Sequence, residues 1–325
     1  MLIFQAFLCL FFADPTTASA FRASELAHTY SIVAVDPETG EMGGAVQSHW
    51  FSVGSTVIWG EPGVGVVATQ SLVRIDYGPL GLEAMAKGEA PADALARLAA
   101  ADEGRAVRQV AMVDTKGRVA AHTGKSCIQH ACDLQGQGVS VQANLMLKDT
   151  VCTAMLKAYR ETKGPLAERL LAALKAAEAE GGDLRGRQSA SILVVKTDKP
   201  KKPWEGVVMD LRVEDHAEPV AELARLIHVH RAYERMNESD VALEHGETQR
   251  ALKLSQEAVA MLPGQLEPRF WQAFNLIKLG KTDEGLAIWK DIMKADPNWK
   301  VLPERLVQCG LLDRDEALLK KVAGF

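Results

Sequence analysis

The 325-residue sequence predicts an α+β protein: two antiparallel sheets packed face to face with helices outside them, followed by an all-α region built from a repeat. Three observations predict this. Runs of β-branched residues punctuated by Pro and Gly come in pairs, which is how hairpins read. Two Ala- and Leu-rich stretches of helical period interrupt them, and each needs a sheet face on which to bury its apolar stripe. Past about residue 216 the strand pattern stops, and short motifs return 34 positions apart.

The first hairpin is Thr29–Val35 and Glu41–Ser48 around Asp36-Pro37-Glu38-Thr39-Gly40, whose Pro and Gly supply the backbone angles of a tight connection. A second, Thr56–Trp59 and Gly63–Gln70, turns at Glu61-Pro62-Gly63. Leu80–Lys87 and Pro91–Ala101 then switch to helical period, with Pro91 suited to a first helical turn. Strand character returns in Val107–Asp114, Arg118–His122 and Val139–Ala143. Asp149–Thr162 and Leu166–Ala179 form the second helix pair, and Ser189–Lys196 with Gly206–Val213 close the β part.

Asp215-His216-Ala217-Glu218-Pro219 marks a domain edge, and Val220–Met236 reads as a helix leading away from the sheets. Beyond it Gly246-x-Thr248-x-x-Ala251-Leu252 returns as Gly280-x-Thr282-x-x-Gly285-Leu286, and Pro263 returns as Pro297. That period, with small residues at a helix contact and Pro ending the second helix, is the tetratricopeptide signature. Two such repeats hide too little apolar surface to stand alone, so the helix at Val220–Met236 and a terminal one near Arg314–Val322 are expected to complete them. Phe270, Trp271, Phe274 and Trp289 read as repeat core, and a groove between repeats suits a peptide or helix from a protein partner.

A net charge of −5 gives no electrostatic reason to expect nucleic acid or an anionic membrane surface. Leu2–Phe12 is a short apolar run followed by Ala18-Ser19-Ala20, the small-x-small pattern a signal peptidase reads. Residues 1–20 are therefore expected to be a signal peptide, 21–28 a propeptide or linker, 29–216 the sheet domain and 217–325 the helical region. Such a protein is periplasmic or secreted and free of the membrane once the leader is gone. Loss of Cys9 leaves Cys127, Cys132, Cys152 and Cys309 where oxidation is permitted. Cys127 and Cys132 are near enough in sequence to bridge, though four cysteines allow three full pairings.

A Thr heading a buried strand just past a removable leader resembles the N-terminal-nucleophile (Ntn) hydrolases, and Thr29-Tyr-Ser-Ile-Val-Ala-Val-Asp with Gly40-Glu-Met-Gly-Gly-Ala is similar to the first hairpin of plant-type asparaginases and γ-glutamyltransferases. Over about Thr29 to His230 the chain resembles more closely a bacterial Ntn-hydrolase-like family of unknown function. The segments that carry this are Gly63-Val-Gly-Val-Val-Ala-Thr-Gln70, Tyr77-Gly-Pro-Leu-Gly-Leu82, Arg108-Gln-Val, Ala121-His-Thr-Gly124, Gly186-Arg-Gln-Ser-Ala190 and Val213-Glu-Asp-His-Ala-Glu-Pro-Val220. The resemblance implies the four-layer αββα sandwich of that superfamily and leaves the reaction open.

It also implies a chemistry for Thr29. Exposed as a chain end, its α-amino group, titrating near pH ~8, takes the proton of its own hydroxyl, which attacks an amide carbonyl. Mid-chain, the same residue is merely a good strand former. Ser31 shares its face by strand alternation and stands in reserve. Gln70 and Arg74 follow the second hairpin, where Ntn folds place pocket groups. Arg74 suits a substrate carboxylate or else a surface pair with Asp76. Asn144 and Arg187 complete the candidate pocket, with Asn144 a donor to an oxyanion or to a loop carbonyl.

No metal or cofactor is expected. His122, Cys127, His130 and Cys132 lack a standard zinc spacing, and His228 and His230 face different ways on a helix. Gly63-x-Gly65-x-x-Ala68 matches a dinucleotide pattern but lies inside a strand with no helix opening after it. Two readings of function follow: an exported Ntn-type hydrolase acting on a small amide-containing substrate, and a non-catalytic scaffold that docks a protein through its repeats.

Overall fold

The computed structural model describes residues 25–27 and 29–325. The expected leader Met1–Ala20, its cleavage point and Cys9, and the rest of Phe21–His28 apart from Glu25–Ala27 lie outside the described residues. The chain divides into two compact units, the first ending at Ala224 and the second running Arg225–Phe325.

The first unit is a mixed α+β fold with two antiparallel sheets. One sheet runs β1-β5-β6-β7, with β1 at Glu25–Ala27, β5 at Gly65–Val73, β6 at Arg108–Asp114 and β7 at Val119–Thr123; β4, Ile58–Glu61, also pairs with β5. The other runs β11-β10-β3-β2-β9-β8, with β2 at Thr29–Asp36, β3 at Glu41–Ser48, β8 at Cys132–Gly136, β9 at Val139–Ala143, β10 at Ser189–Lys196 and β11 at Val207–Val213. The first hairpin forms over the expected segments, β2 running one residue further to Asp36, with Thr29 opposite Ser48 and Asp36 opposite Glu41. The second starts two residues late on both arms, because the turn occupies Pro62 to Val64 with Gly63 at φ 77°.

Alternation along β2 sorts its residues between two environments. Val33 and Val35 join Met42, Val46, Val66, Ala68, Ala111 and Val113 in an apolar cluster drawn from both sheets. The other face of β5 and β6, with Val67, Val110 and Met112, packs on α1, Tyr77–Ala86, and α2, Pro91–Ala100. Helices α3, Val151–Glu161, and α4, Leu166–Ala179, lie on the sheet of β2. Gly43 permits this approach: a Cβ there would come within 2.5 Å of the Leu193 carbonyl oxygen and 3.2 Å of Leu170 Cδ1.

Helix α1 begins at Tyr77, three residues before the expected start, since Pro79 falls in the first turn where no backbone donor is needed. Strand β8 was not expected at all: Cys-Asp-Leu-Gln-Gly lacks apolar alternation, as an edge strand facing solvent can. A disulfide joins Cys132 on β8 to Cys152 on α3, while Cys127 is free. The neighbours in sequence, Cys127 and Cys132, therefore do not bridge; Cys132 pairs across the fold to the helix that covers its strand.

Helix α5, Pro219–Glu244, carries the chain from the first unit into the second and is longer than Val220–Met236. In the second unit α6, Thr248–Met261, and α8, Thr282–Ala295, start at the two threonines that are 34 positions apart, each after a left-handed glycine, Gly246 at φ 76° and Gly280 at φ 80°. Helix α7, Leu266–Lys278, and α8 form a core in which Phe270 stacks on Trp289 at 5.1 Å, while Ala251 and Leu254 of α6 pack with Ala242 in a smaller cluster. Gly285 lets helices meet: a Cβ would lie 2.6 Å from the Ala273 carbonyl oxygen. Helix α9, Leu302–Gln308, and α10, Glu316–Ala323, end the chain, the latter capped by Asp315, which accepts from the Ala317 and Leu318 amides.

Candidate functional site

At its first two inward positions β2 carries Thr29 and Ser31 instead of valine, and the strands facing it respond in kind. Gln70 on β5, Gln109 on β6, and Ser140 and Gln142 on β9 are all fully buried, as is Asn144 just past β9. Buried amides and hydroxyls must find partners, and these find one another. Ser140 Oγ donates to Gln142 Oε1 at 3.1 Å, Gln142 Nε2 to Ser31 Oγ at 2.6 Å, and Ser31 Oγ to Gln70 Oε1 at 2.6 Å. Gln70 Nε2 donates to Gln109 Oε1 at 2.8 Å, and Gln109 Nε2 to Thr123 Oγ1 at 3.0 Å and the Ala143 carbonyl at 2.9 Å. The chain of bonds crosses from one sheet to the other.

Its focus is the backbone of Thr29. The Thr29 carbonyl oxygen accepts from the Asn144 amide N–H at 3.1 Å, from Gln70 Nε2 at 3.1 Å and from Asn144 Nδ2 at 3.4 Å. Its hydroxyl does the opposite: Oγ1 is buried and has no hydrogen-bond partner among the described residues. A buried hydroxyl without a partner is disfavoured by ~1–3 kcal/mol; the Ser71 hydroxyl and the Gln47 side-chain amide, both buried on strands beside it, share that condition.

Two residues flanking this focus adopt backbone angles that L-residues rarely take, Ser71 at φ 74° directly after Gln70 and Leu145 at φ 60° directly after Asn144. Each costs about 1–3 kcal/mol and persists only where the surroundings impose it. Cys127 lies beside Ser71, and burial pushes its thiol up while the Ser71 hydroxyl lowers it.

The sequence-derived site residues thus fall into two groups. Thr29, Ser31, Gln70 and Asn144 come together in the cluster, although both Asn144 Nδ2 protons are committed, one to Thr29 and one to Gln109 Oε1 at 2.9 Å. In this state Asn144 positions Thr29 and is not free to meet an oxyanion. Arg74 sits apart, with Nε 3.1 Å from Asp76 and Nη1 3.5 Å from Asp102. Asp102 also takes Arg108 Nε at 3.0 Å and the Tyr77 hydroxyl at 3.2 Å. Burial works against its charge, yet the Arg108 guanidinium and the Gly104 N–H hold the carboxyl below its ordinary range. Arg187 pairs with Glu178 and Glu218, and Glu178 also accepts from the Tyr30 hydroxyl, which burial and that carboxylate push well up. Arg187 therefore belongs to the face of β2 that carries Tyr30.

Sequence reading missed Gln109, Gln142 and Ser140. The signal was available for Gln109, which shares the inward parity of Ala111 and Val113 on β6, whereas Ser140 and Gln142 alternate with Val139, Val141 and Ala143 and so read as the solvent side of β9. Of the residues weighed for zinc, Cys132 is in the disulfide and His122 Nε2 lies 2.8 Å from the Arg105 carbonyl. A cleft of about 770 Å³ opens at the far end of β2, lined by Asp36, Lys116, Tyr159, Arg160, Lys163 and Arg169. It lies roughly 23 Å from Thr29 by strand rise, so it is separate from the cluster.

Residues 29–223 match the model of the family of unknown function DUF1028. A crystal structure of a protein from Silicibacter pomeroyi, assigned to the same family model, superposes with a TM-score of 0.55 at 32% identity, covering 61% of this chain and 87% of that one. No functionally curated protein matches the chain.

Proposed function

Because the chain belongs to the DUF1028 family, whose name assigns no reaction, we propose a function from its own geometry: an Ntn-type amide hydrolase with Thr29 as nucleophile once residues 1–28 are removed. The observation that carries this is the Thr29 hydroxyl, buried without a partner among the described residues while three donors fix the carbonyl of the same residue. The family match also begins at Thr29. In the intact chain the Thr29 nitrogen is an amide and cannot act as a base. Cleavage turns it into an amine, which takes the hydroxyl proton as Oγ1 bonds to the substrate carbonyl carbon. That proton passes to the leaving amine as the C–N bond breaks, and water then hydrolyses the ester. The Leu145 N–H is committed to the Ile128 carbonyl at 3.3 Å, so the backbone N–H of Ser71, whose partner strand leaves with the removed segment, is the candidate oxyanion donor.

The same reading takes the two sheets with their outer helices as the αββα sandwich of Ntn hydrolases, and residues 1–20 as a leader that delivers the protein to the periplasm or medium. The paired helix starts at Thr248 and Thr282 support tetratricopeptide-like repeats, a surface for a protein or peptide partner. N-terminal sequencing and intact mass of protein recovered from its native compartment test the proposal. The expected end is Thr29; active protein that begins at Phe21 overturns it and leaves the scaffold reading.

A further inference from the structure

The row of strands around β5 contains a segment with two roles. One edge of β5 is taken by β6 from Gly65 to Ser71. The other edge is shared end to end: β4 covers Gly65 to Ala68, and β1 then covers Ser71 to Val73, with Ala27 opposite Ser71 and Glu25 opposite Val73. Strand β1 ends two residues before Thr29. The segment that must leave to free the Thr29 amine is therefore the one that fills this edge.

Resting on the hydrolase reading, we infer that the β5 edge from Ser71 to Val73 is the subsite for the acyl side of the substrate, and that the substrate is an extended peptide bound there as an added strand. Ser71, Leu72 and Val73 are all buried, so loss of β1 leaves backbone donors and acceptors facing the vacated space, and such groups demand partners. An incoming peptide supplies them by strand addition, a recurrent mode of peptide recognition. Direction follows from the pairing. The strand is antiparallel to β5, so a peptide in the place of β1 runs toward Thr29 with its C-terminal carbonyl leading, the orientation for attack by Oγ1. The pairing with β1 ends at Ser71, whose φ of 74° interrupts the regular geometry of β5, and this sets the limit of the subsite. Recognition through backbone makes selection among side chains on the acyl side weak. The Thr29 hydroxyl bonds to the leading carbonyl carbon, the peptide C–N bond breaks, and the departing amine leaves with the proton.

The test uses the full chain with residues 25–28 replaced by the recognition sequence of a protease that cuts immediately before Thr29, so that the segment is released after folding. The probe is the acetylated, amidated tetrapeptide Glu-Leu-Ala-His, the sequence of residues 25–28. On release, the Ser71–Val73 amides should exchange with solvent at least tenfold faster, and the probe should restore their protection. Methylating the probe's backbone nitrogens one at a time should weaken binding at least tenfold at one or more positions. A probe that gives no protection, or equal affinity for every N-methylated form, overturns the subsite. Carrying out the binding on Thr29→Ala as well separates the two readings. Binding without turnover by the Thr29 form removes the hydrolase and keeps the subsite; turnover of small amides without peptide protection does the reverse.

Discussion

The two ends of the space between the sheets are built from the same strands on the same face, yet one is apolar and the other polar. At the Asp36 end Val33, Val35 and Met42 meet Val66, Ala68, Ala111 and Val113. At the Thr29 end the equivalent positions are hydroxyls and amides joined in one network. Apolar burial stabilises by ~1.5–3 kcal/mol per side chain, whereas paired buried polar groups gain far less. Cross-sheet amides fix the position of one backbone carbonyl within hydrogen-bonding tolerance, which non-directional packing cannot. The apolar end thus holds the fold, and the polar end holds Thr29.

The sharpest test of that division is Thr29→Ala. Turnover by the processed protein should fall by ~10³-fold or more, while stability in urea changes by less than about 1 kcal/mol, since the hydroxyl removed has no partner to lose. A matched loss of stability would show that the residue is structural. At the apolar end Met42→Ala should do the converse, costing about 2–5 kcal/mol of unfolding free energy with turnover retained at permissive temperature.

Gln109→Leu joins the two behaviours. It leaves donors of Gln70 and Asn144 and the Ala143 carbonyl without their partner, for a stability cost of about 2–4 kcal/mol. Because Gln70 and Asn144 seat Thr29, turnover should also fall, which a purely structural glutamine would not produce once the variant is folded. Acid titration separates the ends further. Asp102 has a folded-state pKa below its ordinary value, so its stabilisation is fully present above the ordinary carboxylate range. It is lost as pH falls through that range toward the folded value. Asp102→Asn should flatten this part of the stability curve, read by thermal denaturation between neutral and strongly acidic pH. The smallest effect is expected for Arg74→Ala, less than about 1 kcal/mol, because Arg74 is half exposed and its charge is screened. A large loss of turnover in that variant would return Arg74 to the site.

Much of the first unit is legible from residue pattern. The Asp36–Gly40 turn and the alternation of β2 fix the hairpin register, and Leu166–Ala179 and Ser189–Lys196 have the expected bounds. Strand β8 and the late start of the second hairpin were hidden, since both depend on what the chain meets and not on its local preference. Helix α5 outran its expected end for the same reason: Ser239 donates to the Ala251 carbonyl and accepts from Asn275, contacts that only the folded second unit supplies.

The order of residues by itself determined that Thr29 heads a strand with Ser31 on its face, and that helices whose motifs recur 34 positions apart follow the sheets, because alternation and period are properties of a single segment. Only the tertiary structure decided that Gln70 and Asn144 meet at the carbonyl of that threonine with Gln109 joining the two, that Cys132 pairs with Cys152, and that Arg74 and Arg187 turn to carboxylates elsewhere. Each of these joins residues distant in sequence, and hydrogen bonds, ion pairs and disulfides act across a few ångströms of space, a distance that chain position does not encode.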